Sequence, residues 1–206
     1  MRVVPGRSIG MPSPHRFRRP GRYYVGALTE DTDLVGTAMV ANKYYSYPFF
    51  IEENFRISEI GFGVTSALAG AHGKIAIYCD LLDYAGQGLK FQPGKLLYGQ
   101  PEQDCSTTGA KATALDPPLC LAKGRLYWLA SCMSDAISVN KIKETYDLIG
   151  TVFGYWTGPG DLNSYEQYSY CNKTGLYYSN FPPDPFPSDC LNEQLTNVPA
   201  VYMKAA

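Results

Sequence analysis

Apolar residues alternate with small or charged ones along the segment Arg56–Thr65. The apolar positions are Ile60, Phe62 and Val64, and the positions between them are Glu59, Gly61 and Gly63. A period of two matches the pleat of a β-strand, in which successive side chains point to opposite faces of the sheet. The pattern predicts a strand in a sheet that has one buried face.

The segment Leu126–Cys132 is apolar on both of its faces. One face carries Leu126, Trp128, Ala130 and Cys132, and the other carries Tyr127, Leu129 and Ser131. A strand that is apolar on both sides has to be covered on both sides to keep these side chains from water. We therefore expect this strand at the centre of its sheet, with a covering layer on each face.

Short segments rich in Ile, Leu and Tyr, each bounded by turn-forming residues, follow one another from Phe55 to Met133. This spacing is typical of antiparallel strands joined by turns. Pro48 is expected at a sheet edge or a strand exit, and Val139–Asp147 alone resembles a helix. The remaining predicted strands are Tyr23–Leu28, Gly36–Phe50 and Gly150–Trp156. The predicted fold class is all-β: an antiparallel, jelly-roll-like β-sandwich with an extended N-terminal arm and a loop-rich C-terminal tail.

At 206 residues and 45% hydrophobic, the chain has the size of one β domain with one core. Composition divides it into an extended basic Pro/Arg anchoring arm (residues 1–22), the β-sandwich (23–157) and a Tyr- and Pro-rich loop tail (158–206). No apolar run approaches the ~18 residues needed to span a bilayer. The arginine-rich arm lacks the apolar region of a signal peptide. We therefore expect neither a membrane span nor an export signal.

The arm is strongly basic. Residues 1–22 contain six arginines and no acidic residue, so the rest of the chain, with 12 basic and 19 acidic residues, carries a net charge of −7. Its four prolines favour an extended path. Such an arm suits docking onto a neighbouring protein, with Arg16, Arg18 and Arg19 as contacts. Nucleic acid is the alternative partner, disfavoured because the arm has no lysine and few aromatic residues.

Five aromatic residues crowd the seven positions from 44 to 50, namely Tyr44, Tyr45, Tyr47, Phe49 and Phe50. Alternation puts them on both faces of one strand, whereas a lone sandwich needs aromatic side chains only on its inner face. The outer ones would form an exposed apolar patch. We therefore expect this segment at a subunit contact in a protein that is not a stable monomer. A closed trimer would also cover sheet edges.

The tail is rich in Tyr, Asn, Ser and Gly, the composition of binding loops in which aromatic rings supply contact area at low entropic cost. Such rings can stack on sugars while Asn and Asp side chains bond sugar hydroxyls. The candidate glycan-stacking residues are Tyr155, Trp156, Tyr165, Tyr168, Tyr170, Tyr177 and Tyr178. The alternative is a tail that wraps onto the sandwich and is pinned there by Phe181 and Phe186.

Residue types that carry catalysis or hold metals are sparse. His15 lies in the arm and His72 in a Gly-flanked turn, and neither has a suggestive carboxylate and nucleophile nearby in sequence. Asp80 and Asp83 could edge a Ca²⁺-binding loop, although Asp at a strand end is more often a turn former. We therefore assign no catalytic residue, metal site or cofactor. The six cysteines form no CxxC pair, and free thiols are favoured: Cys79, Cys105, Cys120, Cys132, Cys171 and Cys190. The alternative is disulfide pairing among Cys105, Cys120, Cys171 and Cys190 in an oxidising medium.

The strings ISEIGFGVT, KIAIYCD, PGKLLYG, STTG and GRLYWLA follow one another in a characteristic order. That order resembles a β-sandwich module of tailed-bacteriophage virion proteins, which occurs in tail fibres, tail-tip proteins and head fibres and is similar to carbohydrate-binding jelly-roll modules. The resemblance covers about residues 44–135 of the chain. The matching positions are Ile77–Tyr78, Pro93–Gly94, Ser106–Gly109 and Tyr127–Ala130.

The resemblance implies a non-enzymatic structural protein of a phage particle, an outward-facing appendage that contributes to host attachment. A head fibre or spike, a decoration protein and a tail-fibre or tail-tip subunit all fit this description. It further implies a virion location after assembly in the bacterial cytoplasm, other virion proteins as partners through residues 1–22, and a trimer or another symmetric homo-oligomer. Two alternatives stay open: a glycan-binding module that recognises the host surface polysaccharide, and a polysaccharide-degrading enzyme.

Overall fold

The computed structural model describes residues 20–25, 35–51, 53–83, 90–142, 171–173, 177–187, 191–192 and 198–206. These residues form two antiparallel sheets that pack face to face, and they contain no α-helix. The predicted all-β sandwich is confirmed.

Among the described residues, sheet A has seven strands, all paired antiparallel. Its main path runs through β1 (Tyr23–Val25), β14 (Val201–Ala205), β4 (Phe55–Ser66), β10 (Ser138–Ile142) and β13 (Val198–Pro199). Two strands lie beside this path, β8 (Gly109–Leu121) next to β4 and β2 (Val35–Ala38) next to β10. The pairing of β1 with β14 brings the first and last described strands together in one sheet.

Within the described ranges, sheet B also has seven antiparallel strands. Its path runs through β12 (Leu191–Asn192), β11 (Cys171–Lys173), β3 (Tyr44–Ile51), β9 (Arg125–Met133), β5 (His72–Asp83) and β6 (Lys90–Gly99), and β7 (Gln103–Asp104) pairs with β5. The segment Gly36–Phe50, expected to be continuous, is divided between β2 in sheet A and β3 in sheet B. The dividing turn contains Asn42 with a φ of 57°, a left-handed conformation that Asn adopts more readily than most residues.

The alternating apolar residues of β4 lie on one buried face of the strand, as predicted. Ile60, Phe62 and Val64 are buried in the core between the two sheets. Side chains from sheet B meet them there, and the hydroxyl of Tyr47 crosses the core to accept a 3.2 Å hydrogen bond from the backbone N–H of Val201. The one-sided burial of β4 is therefore confirmed.

The two-sided pattern of β9 is confirmed as well. This strand lies between β3 and β5 in the middle of sheet B. Leu129 and Met133 belong to the core between the sheets, whereas Trp128, Ala130 and Cys132 belong to a second apolar cluster on the other side of sheet B.

A third layer covers the outer face of sheet B. Residues 177–187, which we call the strap, place Phe181 and Phe186 in the second apolar cluster. The ring of Phe181 lies 4.9 Å from that of Tyr44, and the ring of Phe186 lies 5.2 Å from that of Tyr78, between centroids. Edge-on contacts of this kind stabilise aromatic pairs beyond the area they bury. For these residues the pinned-tail alternative is confirmed.

Pro48 lies in β3 opposite Trp128 of β9, and among the described residues its other side is unpaired, as expected at a sheet edge, because β11 pairs with Tyr44–Ser46. Two local expectations differ from the structure. The predicted helix Val139–Asp147 begins as β10, because Val139 is buried against β4 in the core and β10 pairs with β2 and β4. The expected loop tail, 158–206, supplies strands to both sheets. The predicted strand Gly150–Trp156 lies outside the described residues.

The sandwich has two opposite ends. Gly21 donates a 2.9 Å backbone hydrogen bond to Ala205 and so ties the residues before β1 to one end, which we call the arm end. Arg125 begins β9 near this end, and Met133 ends it beside Gly73 at the opposite, distal end. From Arg125 to Met133, β9 rises about 26 Å.

Candidate functional site

Two of the seven predicted stacking residues, Tyr177 and Tyr178, lie among the described residues. Both lie at the distal end, where the strap begins with a 3-10 turn, η1 (Tyr178–Asn180). The side chain of Tyr177 is 75% exposed. The other five lie outside the described residues: Tyr155, Trp156, Tyr165, Tyr168 and Tyr170.

Hydrogen bonds from β3 and the turn before it hold the two tyrosines in place. The hydroxyl of Tyr44 donates to the carbonyl oxygen of Tyr177 at 3.0 Å, and the backbone N–H of Tyr178 donates to Oδ1 of Asn42 at 3.0 Å. The backbone of this segment is thus anchored while the ring of Tyr177 projects outward.

Lys74 and Glu102 lie beside Tyr178. Nζ of Lys74 lies 4.4 Å from the centroid of its ring and 3.8 Å from Oε2 of Glu102. Oε1 of Glu102 lies 3.5 Å from Nδ1 of His72. Burial, followed by the charge of Glu102, raises the pKa of the Tyr178 hydroxyl, which therefore stays protonated at neutral pH. We call His72, Lys74, Glu102, Tyr177 and Tyr178 the distal corner.

Ser134 lies beside His72 at the distal corner and makes two hydrogen bonds. The backbone N–H of His72 donates to Oγ of Ser134 at 2.8 Å, and Oγ donates to Oδ2 of Asp135 at 2.7 Å. Activation of a serine nucleophile uses a hydrogen bond from the hydroxyl to the imidazole ring. Here Oγ of Ser134 instead accepts from the backbone of His72, a contact between the neighbouring strands β5 and β9 at their distal ends. The corner presents a ring and charged groups suited to binding.

Asp80, considered above as a Ca²⁺ ligand, accepts a 2.8 Å hydrogen bond from Nε1 of Trp128. Burial raises the pKa of the Asp80 carboxyl, and the hydrogen bond from Trp128 acts in the opposite direction. Within the part of the chain that the structure describes, no group of three or more His, Cys, Asp and Glu side chains could hold a metal ion. The position of Asp80 is explained by the buried indole N–H that it satisfies.

Asp80→Ala should lower the free energy of unfolding by about 1–3 kcal/mol, because it leaves the buried N–H of Trp128 without its acceptor. Asp80→Asn keeps an acceptor oxygen and removes the partly buried charge. This variant should be at least as stable as the native protein at neutral pH. Urea unfolding of both variants measures the difference.

The pH dependence of the Asp80→Asn comparison tests the same contact. The folded pKa of Asp80 lies above its ordinary value of 3.8, so the folded state holds the proton more tightly than the unfolded state. The contribution of Asp80 to stability therefore falls as the pH rises above that value. The advantage of the asparagine variant should shrink as the pH is lowered to about 4, and a difference independent of pH would contradict a buried charge.

The thiols of Cys79, Cys105, Cys120 and Cys132 are free, as expected for these four. Burial raises the pKa of Cys105 to about 11 and that of Cys132 to about 12. A thiol with such a pKa is protonated at neutral pH and is a poor nucleophile. These two cysteines therefore act as small apolar side chains in the two clusters that contain them.

The exposed patch expected at positions 44–50 does not form. Tyr45, Tyr47 and Phe49 are buried between the sheets, and Tyr44 is buried under the strap. Phe50 is 44% exposed. The first four side chains are covered by their own chain, so the reason for placing a subunit contact on them is removed. Self-association stays a prediction, and Phe50 is the exposed aromatic residue of this segment that could lie at a subunit contact. The other predicted contacts, Arg16, Arg18 and Arg19, lie outside the described residues.

Sequence reasoning missed the charged members of the distal corner, Lys74 and Glu102. His72 and Lys74 are two residues apart on β5 and so point to the same face, a signal that was available. Glu102 lies in the connection from β6 to β7 and reaches them only through the pairing of β7 with β5. None of the helical segments described is long and apolar enough to cross a bilayer. A scan against protein-family models and a search of curated proteins gave no match to this chain.

Proposed function

We propose that the protein is a non-enzymatic structural subunit of a phage particle, an outward-facing appendage that contributes to host attachment. The observation that carries this proposal is the placement of two features at opposite ends of one sandwich. The basic arm leads into β1 at the arm end, and the distal corner lies at the other end. An appendage requires a module that is anchored at one end and presents a surface at the other.

Backbone hydrogen bonds connect the last residues of the arm to β14, the neighbour of the central strand β4 in sheet A. The backbone N–H of Ala205 donates to the carbonyl oxygen of Arg22 at 2.9 Å, and that of Ala206 donates to Arg56 at 2.9 Å. Ala205 belongs to β14, which pairs with both β1 and β4. An arm bound to another virion protein would thus be connected to the central strands of the sheet.

The strap also suits a subunit that is present in many copies. The backbone N–H of Phe186 donates to the carbonyl oxygen of Gly94 at 3.1 Å, and Oδ1 of Asp184 accepts from the backbone N–H of Leu96 at 3.1 Å. Both bonds occupy backbone groups of β6, which ends the path of sheet B. Covered edges limit edge-to-edge pairing between crowded copies. In a symmetric homo-oligomer, a trimer in this proposal, Phe50 at the arm end would lie at the contact.

Removal of the arm tests the proposal. Deleting residues 1–19, rather than 1–22, keeps the bonds that Gly21 and Arg22 make with Ala205. The truncated protein should keep its β circular dichroism and its melting temperature, yet be missing from assembled particles. Protein occupancy in purified particles, measured by quantitative mass spectrometry, gives the result.

The matched control is Arg125→Ala, which removes an exposed charge near the arm end without touching the arm. It should incorporate normally, whereas alanine at Arg16, Arg18 and Arg19 together should reduce incorporation. Full occupancy by the protein that lacks residues 1–19 would show that the arm is not the anchor.

Glycan recognition is the second candidate function. The exposed ring of Tyr177 favours it, since an open aromatic face next to the Lys74–Glu102 pair offers both stacking and hydrogen bonds to a sugar. The native protein should then bind host surface polysaccharide in an affinity assay. No signal at millimolar ligand would remove this candidate.

A further inference from the structure

Four side chains on the outer face of sheet A form a compact group. They are Tyr23, Tyr202, Glu59 and Lys204, which we call the tyrosine platform. Tyr23 pairs with Lys204 and Lys204 with Glu59, while Tyr202 pairs with Gly61. Residues paired across antiparallel strands share one face of the sheet. The rings of Tyr23 and Tyr202 are 5.4 Å apart between centroids and meet at 86°.

The platform has a floor of small residues. A Cβ atom on Gly61 would lie 2.5 Å from Cζ and Oη of Tyr202, so the tyrosine ring rests directly on the backbone of β4. Ala112 of β8 pairs with Gly61 on its other side. The floor continues along β8 through exposed alanines at alternate positions, Ala110, Ala112 and Ala114. The ring of Tyr202 covers Gly61, and the ring of Tyr23 meets it edge-on.

Polar groups border the two rings. Nζ of Lys204 lies 5.2 Å from the centroid of Tyr23 and 3.7 Å from Oε2 of Glu59. The side chain of Tyr23 is 54% exposed. Burial, with the nearby Glu59 and Tyr23, raises the pKa of Tyr202 to about 12. Its hydroxyl therefore remains a hydrogen-bond donor at neutral pH.

We propose that the tyrosine platform binds a neutral pyranose unit of a polysaccharide. The proposal rests on glycan recognition being a function of this protein. The C–H face of a sugar ring is apolar and stacks on an aromatic ring, while its hydroxyls need donors and acceptors at the rim. Lys204 and Glu59 supply these, and because they neutralise each other they give the patch no net charge to attract an acidic polymer.

The floor argues against a protein partner. Energetically dominant residues of a protein interface insert large side chains into pockets, and interface cores are enriched in large aromatic residues. The exposed alanines of β8 offer a flat surface with little apolar side chain to bury. A flat pyranose ring needs no pocket, so it matches this surface better.

The experiment uses the full chain with soluble glucan, galactan and mannan as neutral probes and polygalacturonate as the acidic probe, in affinity electrophoresis followed by calorimetry. The native protein should bind at least one neutral polysaccharide. Tyr23→Ala should bind about tenfold more weakly, the loss expected for one aromatic contact. Ala112→Glu should abolish binding, because it blocks the floor and leaves both rings in place. Leu97→Ala, an exposed change on sheet B, should bind as the native protein does.

Circular dichroism of each variant separates lost binding from lost folding, and Ala112→Glu removes no existing contact if Tyr23→Ala proves unstable. Binding that persists in both platform variants but disappears in Tyr177→Ala would overturn the proposal that the platform binds the sugar. Glycan recognition would then be assigned to the distal corner. Failure of the native protein to bind any of the four polysaccharides at millimolar concentration would overturn both the platform and glycan recognition. Tighter binding of polygalacturonate than of the neutral polysaccharides would overturn the proposal that the ligand is neutral. Platform variants with normal glycan binding but reduced particle incorporation would identify a protein interface instead.

Discussion

Replacing Trp128 with alanine should lower the free energy of unfolding by about 3–5 kcal/mol. The side chain is fully buried in the cluster between β9 and the strap, and its Nε1 donates to Asp80. The substitution would leave a cavity there and deprive Asp80 of its donor. Urea unfolding followed by circular dichroism measures the loss.

Two further variants serve as comparisons for Trp128→Ala. Trp128→Phe keeps most of the apolar volume and loses the indole N–H, so it should cost less than the alanine variant. Tyr177→Ala removes an exposed ring from the strap and should change the stability by no more than about 0.5 kcal/mol. A loss below about 1 kcal/mol for Trp128→Ala would mean that the strap does not seal this face.

Replacing Phe181 and Phe186 together with alanine should destabilise the protein by more than about 3 kcal/mol and release the strap from sheet B. Both side chains are buried, and both rings pack against Tyr44, at centroid distances of 4.9 Å and 6.3 Å. Because they share this partner, their effects should not be additive. Single and double variants in urea give the coupling.

The double variant should also self-associate. Release of the strap uncovers Tyr44, Tyr78 and Trp128, a contiguous aromatic surface of the kind that drives association. It should bind a hydrophobic dye and sediment as larger species than the native protein does. Ser179→Ala, an exposed change within the strap, is the matched control. Native stability and no dye binding in the double variant would show that the strap is not held by these rings.

Local periodicity determined much of the architecture. The alternation in Arg56–Thr65 and the two apolar faces of Leu126–Cys132 each specify, within a few residues, how many sides of a strand must be buried. Both expectations hold because a strand's side chains alternate whatever the rest of the chain does. The beginning of Val139–Asp147 was misread because Val139, Ile142 and Tyr146 have helical spacing, whereas the strand there is revealed only by its pairing with β2 and β4. Burial of Val139 in the core decided for the strand.

Contacts between distant parts of the chain were decided by tertiary structure alone. The five aromatics at positions 44–50 indicate two covered faces, but the sequence does not say whether a second copy or the chain itself covers the outer one. The hydroxyl of Tyr44 donates to the backbone carbonyl oxygen of Tyr177, which lies 133 positions away in the sequence. The chain itself therefore covers Tyr44. The tyrosine platform likewise needs the register of β1, β14, β4 and β8 before Tyr23, Tyr202 and Gly61 become neighbours. A strand's own sequence determines which side chains share its face, whereas strand pairing determines which other strands lie beside them.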